Sequence, residues 1–556
     1  MHASTVLSAL DRARKAYSPK LPPALAQGAD HVVVTSGAAT APVKDLDAIK
    51  AAFPHTCGMP LLSMQPGQAS GGDAKALKVG VVLSGGQAPG GHNVIAGIFD
   101  SIRAIHKDSV LYGFSGGPGG LEKGKYEIIT PELMDAYRNT GGFDIIGSGR
   151  TKLETTEQFD RCIEVIKKIG LDAVVIIGGD DSNTNAAVLA EYFLAKGLSI
   201  AVVGVPKTID GDLKNEQIPT SFGFDTAVKT YSELIGNIAR DARSACKYWH
   251  FIKLMGRSAS HITLEAGLQT RANVTLISEE IEAKAMTLDQ VVELIVRPIK
   301  ARAALGLNYG VVLVPEGLVE FIPAIKALIA EVNHLLAEKE PEFGALETVN
   351  EKIATLAGWL RAENAATFES LPASIQSQLL LDRDPHGNVQ VSLIETEKLL
   401  SEIVAAKLKN DLVYKAEGGK FAAQHHFFGY EGRAAAPSNF DADYCYGLGS
   451  VAGVLIRNGK TGYMASIRNL SKGPANWIAG GIPITMLFNM EQRHGKLKPV
   501  IQKALVELDS PAFKELVKNR DAWETEDAYL FPGPIQYFGP AEVCDAITKT
   551  LELEQG

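Results

Sequence analysis

Residues 177–186 read IGGDDSNTNA, directly after the apolar run DAVVI at 172–176 and ahead of a helix-compatible stretch. An apolar strand, a pair of glycines and a helix start make up the repeating unit of a doubly wound α/β sheet. Such a turn attracts phosphate, because the first N–H groups of a helix lack intrahelical partners and lie at the positive end of its dipole. Asp180 and Asp181 place two carboxylates in that turn. One is explained by a metal that bridges to phosphate. A helix N-cap also accounts for one of them, but less well for two neighbours.

Working outward, the alternation begins at Lys78: KVGVVL (78–83) reads as a buried strand, SGGQAPGG (84–91) as a turn and HNVIAGIFDSIRAIH (92–106) as an amphipathic helix. Further strands are predicted at DSVLYGF (108–114), FDIIG (143–147), SIAVVGV (199–205), HFIKLM (250–255), NVTLIS (273–278) and NYGVVLVP (308–315). Helices fall between several of them, as in TTEQFDRCIEVIKK (155–168) and TLDQVVELIVRPIKARAA (287–304). This predicts an α/β protein with two doubly wound, mainly parallel-sheet domains, whose ligands gather at the carboxyl ends of the strands. Residues 1–75 form an N-terminal extension, and 76–223 a phosphate- and metal-binding domain completed by part of 434–556. Residues 224–319 with 424–433 are expected to form a second α/β domain. The strand rhythm stops over 320–423, a helical insertion, and 434–556 returns to both domains.

The composition is that of an ordinary soluble globular protein: 556 residues, 46% hydrophobic and 21% charged. A net charge of −9 disfavours nucleic acid as the main partner, while leaving room for a local cationic pocket. No run of about 18 apolar residues predicts a membrane span. The first 25 residues lack a secretory apolar core, and the five cysteines contain no CxxC pair, so a reducing cytoplasm is expected.

Three more segments carry chemistry. IGSGRTK (146–152) offers Arg150 and Lys152 to phosphoryl oxygens, or to solvent as plain surface cations. PKTIDGDL (206–213) ends a strand with Lys207 beside Asp210 and Asp212. A carboxylate there can take the proton of an attacking hydroxyl while the neighbouring cation balances phosphoryl charge. Finally MGR (255–257), Glu316 in LVPEG (313–317) and YEGR (430–433) supply two arginines suited to bidentate phosphate contact, and a carboxylate for sugar hydroxyls.

These residues, in this order, resemble the phosphofructokinase family from about Lys78 to Asp441, and within it the long form that takes its phosphoryl group from pyrophosphate. GGDDSNTNA, PKTIDGD, Lys247-Tyr248 and GYEGR carry the likeness, and the extension and the insertion fit the long form. The resemblance implies Mg²⁺ on Asp180, diphosphate on Gly86, Arg150 and Lys207, and Asp210 as the proton acceptor. It implies fructose 6-phosphate on Thr208, Ile209, Asp210, Met255, Gly256, Arg257, Glu316, Tyr430, Glu431, Gly432 and Arg433. Lys247 and Tyr248 are implied to reach a neighbouring subunit's site, which makes the enzyme at least a homodimer with shared active sites. ATP-using relatives carry Gly after the metal Asp and typically Gly before the TID motif. Here Asp181 puts negative charge where a nucleotide's α-phosphate would lie, and Lys207 supplies a cation for the smaller donor. An ATP-dependent enzyme and a non-catalytic regulatory subunit are the alternative readings.

Overall fold

The computed structural model describes residues 7–68, 74–381, 389, 393–493 and 496–556. Along the chain the strands are β1 (Val32–Ala39), β2 (Pro60–Pro66), β3 (Lys78–Leu83), β4 (Val110–Phe114), β5 (Tyr126–Ile129), β6 (Ala173–Gly178), β7 (Ala201–Pro206) and β8 (Tyr248–Leu254). They continue with β9 (Val274–Thr275), β10 (Tyr309–Pro315), β11 (Ala423–Phe428), β12 (Tyr463–Arg468), β13 (Ile478–Pro483), β14 (Phe488–Arg493) and β15 (Lys496–Ile501).

Two compact units result. The first takes the residues up to Thr230 with Tyr430–Ala504 and Ile535–Gly556; the second takes Tyr231–Gly429 and Leu505–Pro534. Tyr430, Glu431, Gly432 and Arg433 therefore belong to the first unit, whereas the sequence reading grouped them with the second domain.

The first unit is built on a nine-stranded sheet in the order β1-β2-β13-β12-β7-β6-β3-β4-β5. Its middle is parallel: β4 pairs β3, β3 pairs β6, β6 pairs β7 and β7 pairs β12. The edges are antiparallel, with β5 on one side and β13, β2 and β1 on the other. Every residue of AVVIIG and AVVGVP is buried, as expected of parallel strands covered by helices on both faces. The N-terminal extension is part of this sheet, since it supplies β1 and β2. It is tied down further where Phe53 packs on Phe488, with ring centroids 5.2 Å apart.

Residues 143–147 are not a strand. Gly147 donates its N–H to the Phe143 carbonyl at 2.7 Å, closing a turn, and Phe143, Ile145 and Ile146 are buried. Phe143 lies so close to Gly91 that a Cβ there would strike its ring. The apolar pattern serves core filling beneath the glycine-rich turn, and period alone cannot separate that from a short strand.

The second unit holds an all-parallel sheet, β11-β8-β10-β9. NVTLIS keeps only two residues in β9 before the helix Ser278–Ala283 starts. The helical insertion does not form a core of its own. Leu328, Val332, Phe368, Leu399 and Val404 join Trp249, Phe251, Val312 and Val314 in one buried cluster.

Candidate active site

Strands β3, β6 and β7 end side by side. Leu83 is in register with Ile177, and Gly178 with Pro206. Backbone pairing runs on past their ends: Ser84 N–H donates to the Ile177 carbonyl (2.8 Å), Gly85 N–H to Gly149 (2.9 Å) and Lys207 N–H to Gly178 (2.9 Å). The Asn183 amide donates to the carbonyls of Gly178 (2.6 Å), Gly179 (3.0 Å) and Val205 (3.3 Å), fastening the two central strand ends together. The turns carrying Gly86, Arg150, Asp180 and Lys207 are thus fixed against one another by main-chain bonds.

Into this frame three cations converge. A Cβ on Gly85 would come within 3.4 Å of Lys207 Nζ. A Cβ on Gly86 would run into the Arg433 guanidinium and lie 3.7 Å from Arg150 Nη2. Glycine is required here because any side chain would occupy the space into which the cations point. Lys207 is buried; desolvation and the neighbouring Arg433 and Arg150 charges push its ammonium down to about 8, against the opposing pull of Asp210 and Asp180.

The acids sit around these cations. The helix Asp180–Ala195 is entered through Gly179, which makes no side-chain cap, so Asp180 and Asp181 both fall in its first turn. The N-cap explanation of the pair therefore fails. Asp181 is half exposed and pairs with Lys152 Nζ at 3.3 Å. The Asp210 N–H donates to Thr208 Oγ1 at 3.1 Å. The buried Asp210 Oδ1 has no hydrogen-bond partner among the described residues, an acceptor left for something else. Asp212 is buried, and desolvation together with the Asp210 charge pushes its carboxyl up. Lys503, which follows β15, places Nζ 3.7 Å from Asp180 Oδ2 and 3.8 Å from Asp212 Oδ2. No motif marks Lys503, and it stands in sequence 291 residues beyond Asp212 and 323 beyond Asp180.

The second unit holds a separate cluster at the carboxyl ends of β8 and β10. The buried Glu316 carboxylate accepts the Gly256 N–H at 3.1 Å, while the Glu316 N–H donates to Leu254 at 2.9 Å. Gly256 adopts φ 117, and a Cβ on Gly317 would collide with the Arg257 carbonyl. Met255 is buried behind the exposed Arg257. Lys247 and Tyr248 are not part of this cluster. They lie at the amino end of β8, with Lys247 Nζ 5.0 Å from the Tyr248 ring and Tyr248 in the left-handed region at φ 71. The length of β8, about 20 Å at ordinary strand rise, separates them from Arg257.

Of the expected residues, Gly86, Arg150, Asp180, Lys207, Asp210 and Arg433 are brought together in the first unit, with Thr208 and Ile209 in the same turn as Asp210. Met255, Gly256, Arg257 and Glu316 come together in the second. Tyr430 is 73% exposed, and next to it Glu431 is exposed and Gly432 buried. Residues 78–452 match the family described as Phosphofructokinase.

The chain belongs to the phosphofructokinase family. It is 54% identical over 551 residues to a pyrophosphate–fructose 6-phosphate 1-phosphotransferase of Porphyromonas gingivalis, covering 99% of both chains. A relative of the same name from Treponema pallidum is 53% identical, over 99% of this chain and 97% of its own. The crystal structure of a pyrophosphate-dependent phosphofructokinase from Marinobacter aquaeolei superposes with a TM-score of 0.52 at 17% identity, covering 82% of this chain and 93% of that one, and shows the shared fold. For this phosphofructokinase, Gly86→Ala is expected to displace the Arg433 guanidinium and raise the KM for pyrophosphate roughly tenfold, with Tm unchanged. Steady-state kinetics and thermal unfolding of the variant check this.

Proposed function

We infer that this phosphofructokinase transfers a phosphoryl group reversibly from pyrophosphate to the C1 hydroxyl of fructose 6-phosphate, giving fructose 1,6-bisphosphate and phosphate. The observation that carries the mechanism is the buried, unpartnered Asp210 Oδ1 beside the Lys207 ammonium. Asp210 accepts the proton of the C1 hydroxyl as its oxygen bonds to phosphorus and the bridging P–O bond breaks. Lys207, Arg150 and Arg433 balance the charge on the equatorial and leaving oxygens.

Among the described residues no three His, Cys, Asp or Glu side chains group as a metal cage. A single carboxylate, Asp180, beside a phosphate-binding turn fits Mg²⁺, which usually takes one or two protein ligands and fills its shell with water and substrate oxygens. Held by Asp180, Mg²⁺ would neutralise phosphate charge on the donor.

Asp181 and Lys207 divide the choice of donor: one repels the α-phosphate of a nucleotide, the other anchors a diphosphate that has no nucleoside to hold it. Fructose 6-phosphate is assigned to Thr208, Ile209, Asp210, Met255, Gly256, Arg257, Glu316 and residues 430–432, with Arg433, whose guanidinium lies against Gly86, shared with the donor. Lys247 and Tyr248 are assigned to the site of a second copy. Their place at the far end of β8 from Arg257 supports a homodimer with shared sites. A cytoplasmic location is supported by five cysteines that are all unpaired. No helix among the described residues is long and apolar enough to cross a membrane.

Three outcomes are expected. Asp210→Ala lowers kcat by about 10³-fold or more, while fructose 6-phosphate affinity, measured by titration calorimetry, changes little. Near-normal kcat in that variant removes the base assignment. Asp181→Gly combined with Lys207→Gly gains turnover with ATP and loses turnover with pyrophosphate, as a donor assay reads directly. Third, Lys207 is charged below about 8 and neutral above it, so kcat/KM for pyrophosphate falls as pH rises through that value. In Lys207→Arg, whose side chain stays protonated, the pH–rate profile should lose this alkaline limb.

A further inference from the structure

We propose that Lys503 is a fourth cation of the donor site, one that binds diphosphate and is parked between two acids until the donor arrives. Its backbone is fixed on both sides. Gln502 N–H donates to the Leu487 carbonyl at 2.9 Å, and Ala504 N–H donates to the Asp212 carbonyl at 2.8 Å. The side chain is thereby carried from the end of the β14–β15 hairpin to the turn that follows β7. Its ammonium stands 3.7 Å from Asp180 and 3.8 Å from Asp212, both beyond hydrogen-bond length, as a counter-charge shared by the two carboxylates. The side chain is 30% exposed.

This inference rests on the reading of Asp180 as the metal residue. A divalent cation on Asp180 repels the ammonium from that carboxylate and leaves Asp212 as its anchor. The nearest new anion is the diphosphate held at Asp180. Lys503 then does for the donor what it did for the acids, and its charge adds to those of Lys207, Arg150 and Arg433. The sugar phosphate gains nothing from it, so its effect is confined to one substrate. A Lys503 that served only to neutralise these two acids would affect stability, with no preference between the two substrates.

The test compares Lys503→Met and Lys503→Arg with the parent enzyme. Two constants are measured: the KM for pyrophosphate, and the Kd for methylenediphosphonate with Mg²⁺ by titration calorimetry, which needs no turnover. In Lys503→Met both are expected to rise by about tenfold or more, with the KM for fructose 6-phosphate within about twofold of the parent. Lys503→Arg should recover most of the loss, because it keeps the charge. Unchanged diphosphate constants in Lys503→Met, or equal increases for both substrates, overturn the proposal. Asp180→Asn examines the metal reading separately: an unaltered Mg²⁺ requirement in that variant removes the metal from Asp180, whatever Lys503→Met does to diphosphate binding.

Discussion

A buried ammonium that lacks a full counter-charge is the constraint from which the donor site follows. Lys207 emerges from the end of β7 under the glycine-rich turn, with Arg433 and Arg150 near enough to depress its pKa. A buried ammonium crowded by two further cations, Arg433 half-buried and Arg150 exposed, is unfavourable unless an anion completes the group. Asp210 and Asp180 supply part of that charge, and the proposed diphosphate would supply the rest. Affinity for a small, dense anion is therefore a consequence of how the strand ends are arranged. Lys207, Arg150 and Arg433 already lie around the two glycines of the turn, and charges set in place before binding are the condition for strong electrostatic stabilisation.

The arrangement holds because the main chain fixes it. Parallel β3, β6 and β7 end in register, and hydrogen bonds at Ser84, Gly85 and Lys207 continue the pairing beyond the strands. Gly85 sits at φ 83 beside Lys207, and Gly86 leaves space where a Cβ would displace the Arg433 guanidinium. The second unit uses the same device with a different purpose. There the Glu316 carboxylate holds the Gly256 amide, so the turn after β8 is set by a buried charge-assisted hydrogen bond. That turn presents Arg257 to solvent.

The sequence was most legible where chemistry is local. IGGDDSNTNA and PKTIDGDL each join an apolar run to a turn within a few residues, so both the strand and the site at its end could be read together. It was less legible where a residue's role depends on remote pairing. Lys503 meets Asp180 and Asp212 through a hairpin whose sequence carries no chemical motif. Arg433 was grouped with the sugar-phosphate residues by its motif, yet its guanidinium lies against Gly86 in the first unit. The stretch FDIIG has the composition of a strand, but its apolar side chains fill core space below the phosphate turn. The extension hid β1 and β2 because β1, the edge strand, is exposed along most of its length and β2 beside it buries only Leu62 and Met64, so neither shows a sustained apolar alternation.

The chemistry of this site turns on the choice of donor. It is tested most directly by measuring kcat/KM of the purified chain with pyrophosphate and with ATP, at saturating fructose 6-phosphate and Mg²⁺. The arrangement of Lys207 and Asp181 predicts a preference for pyrophosphate of about 100-fold or more. Equal use of the two donors, or a preference for ATP, would contradict it.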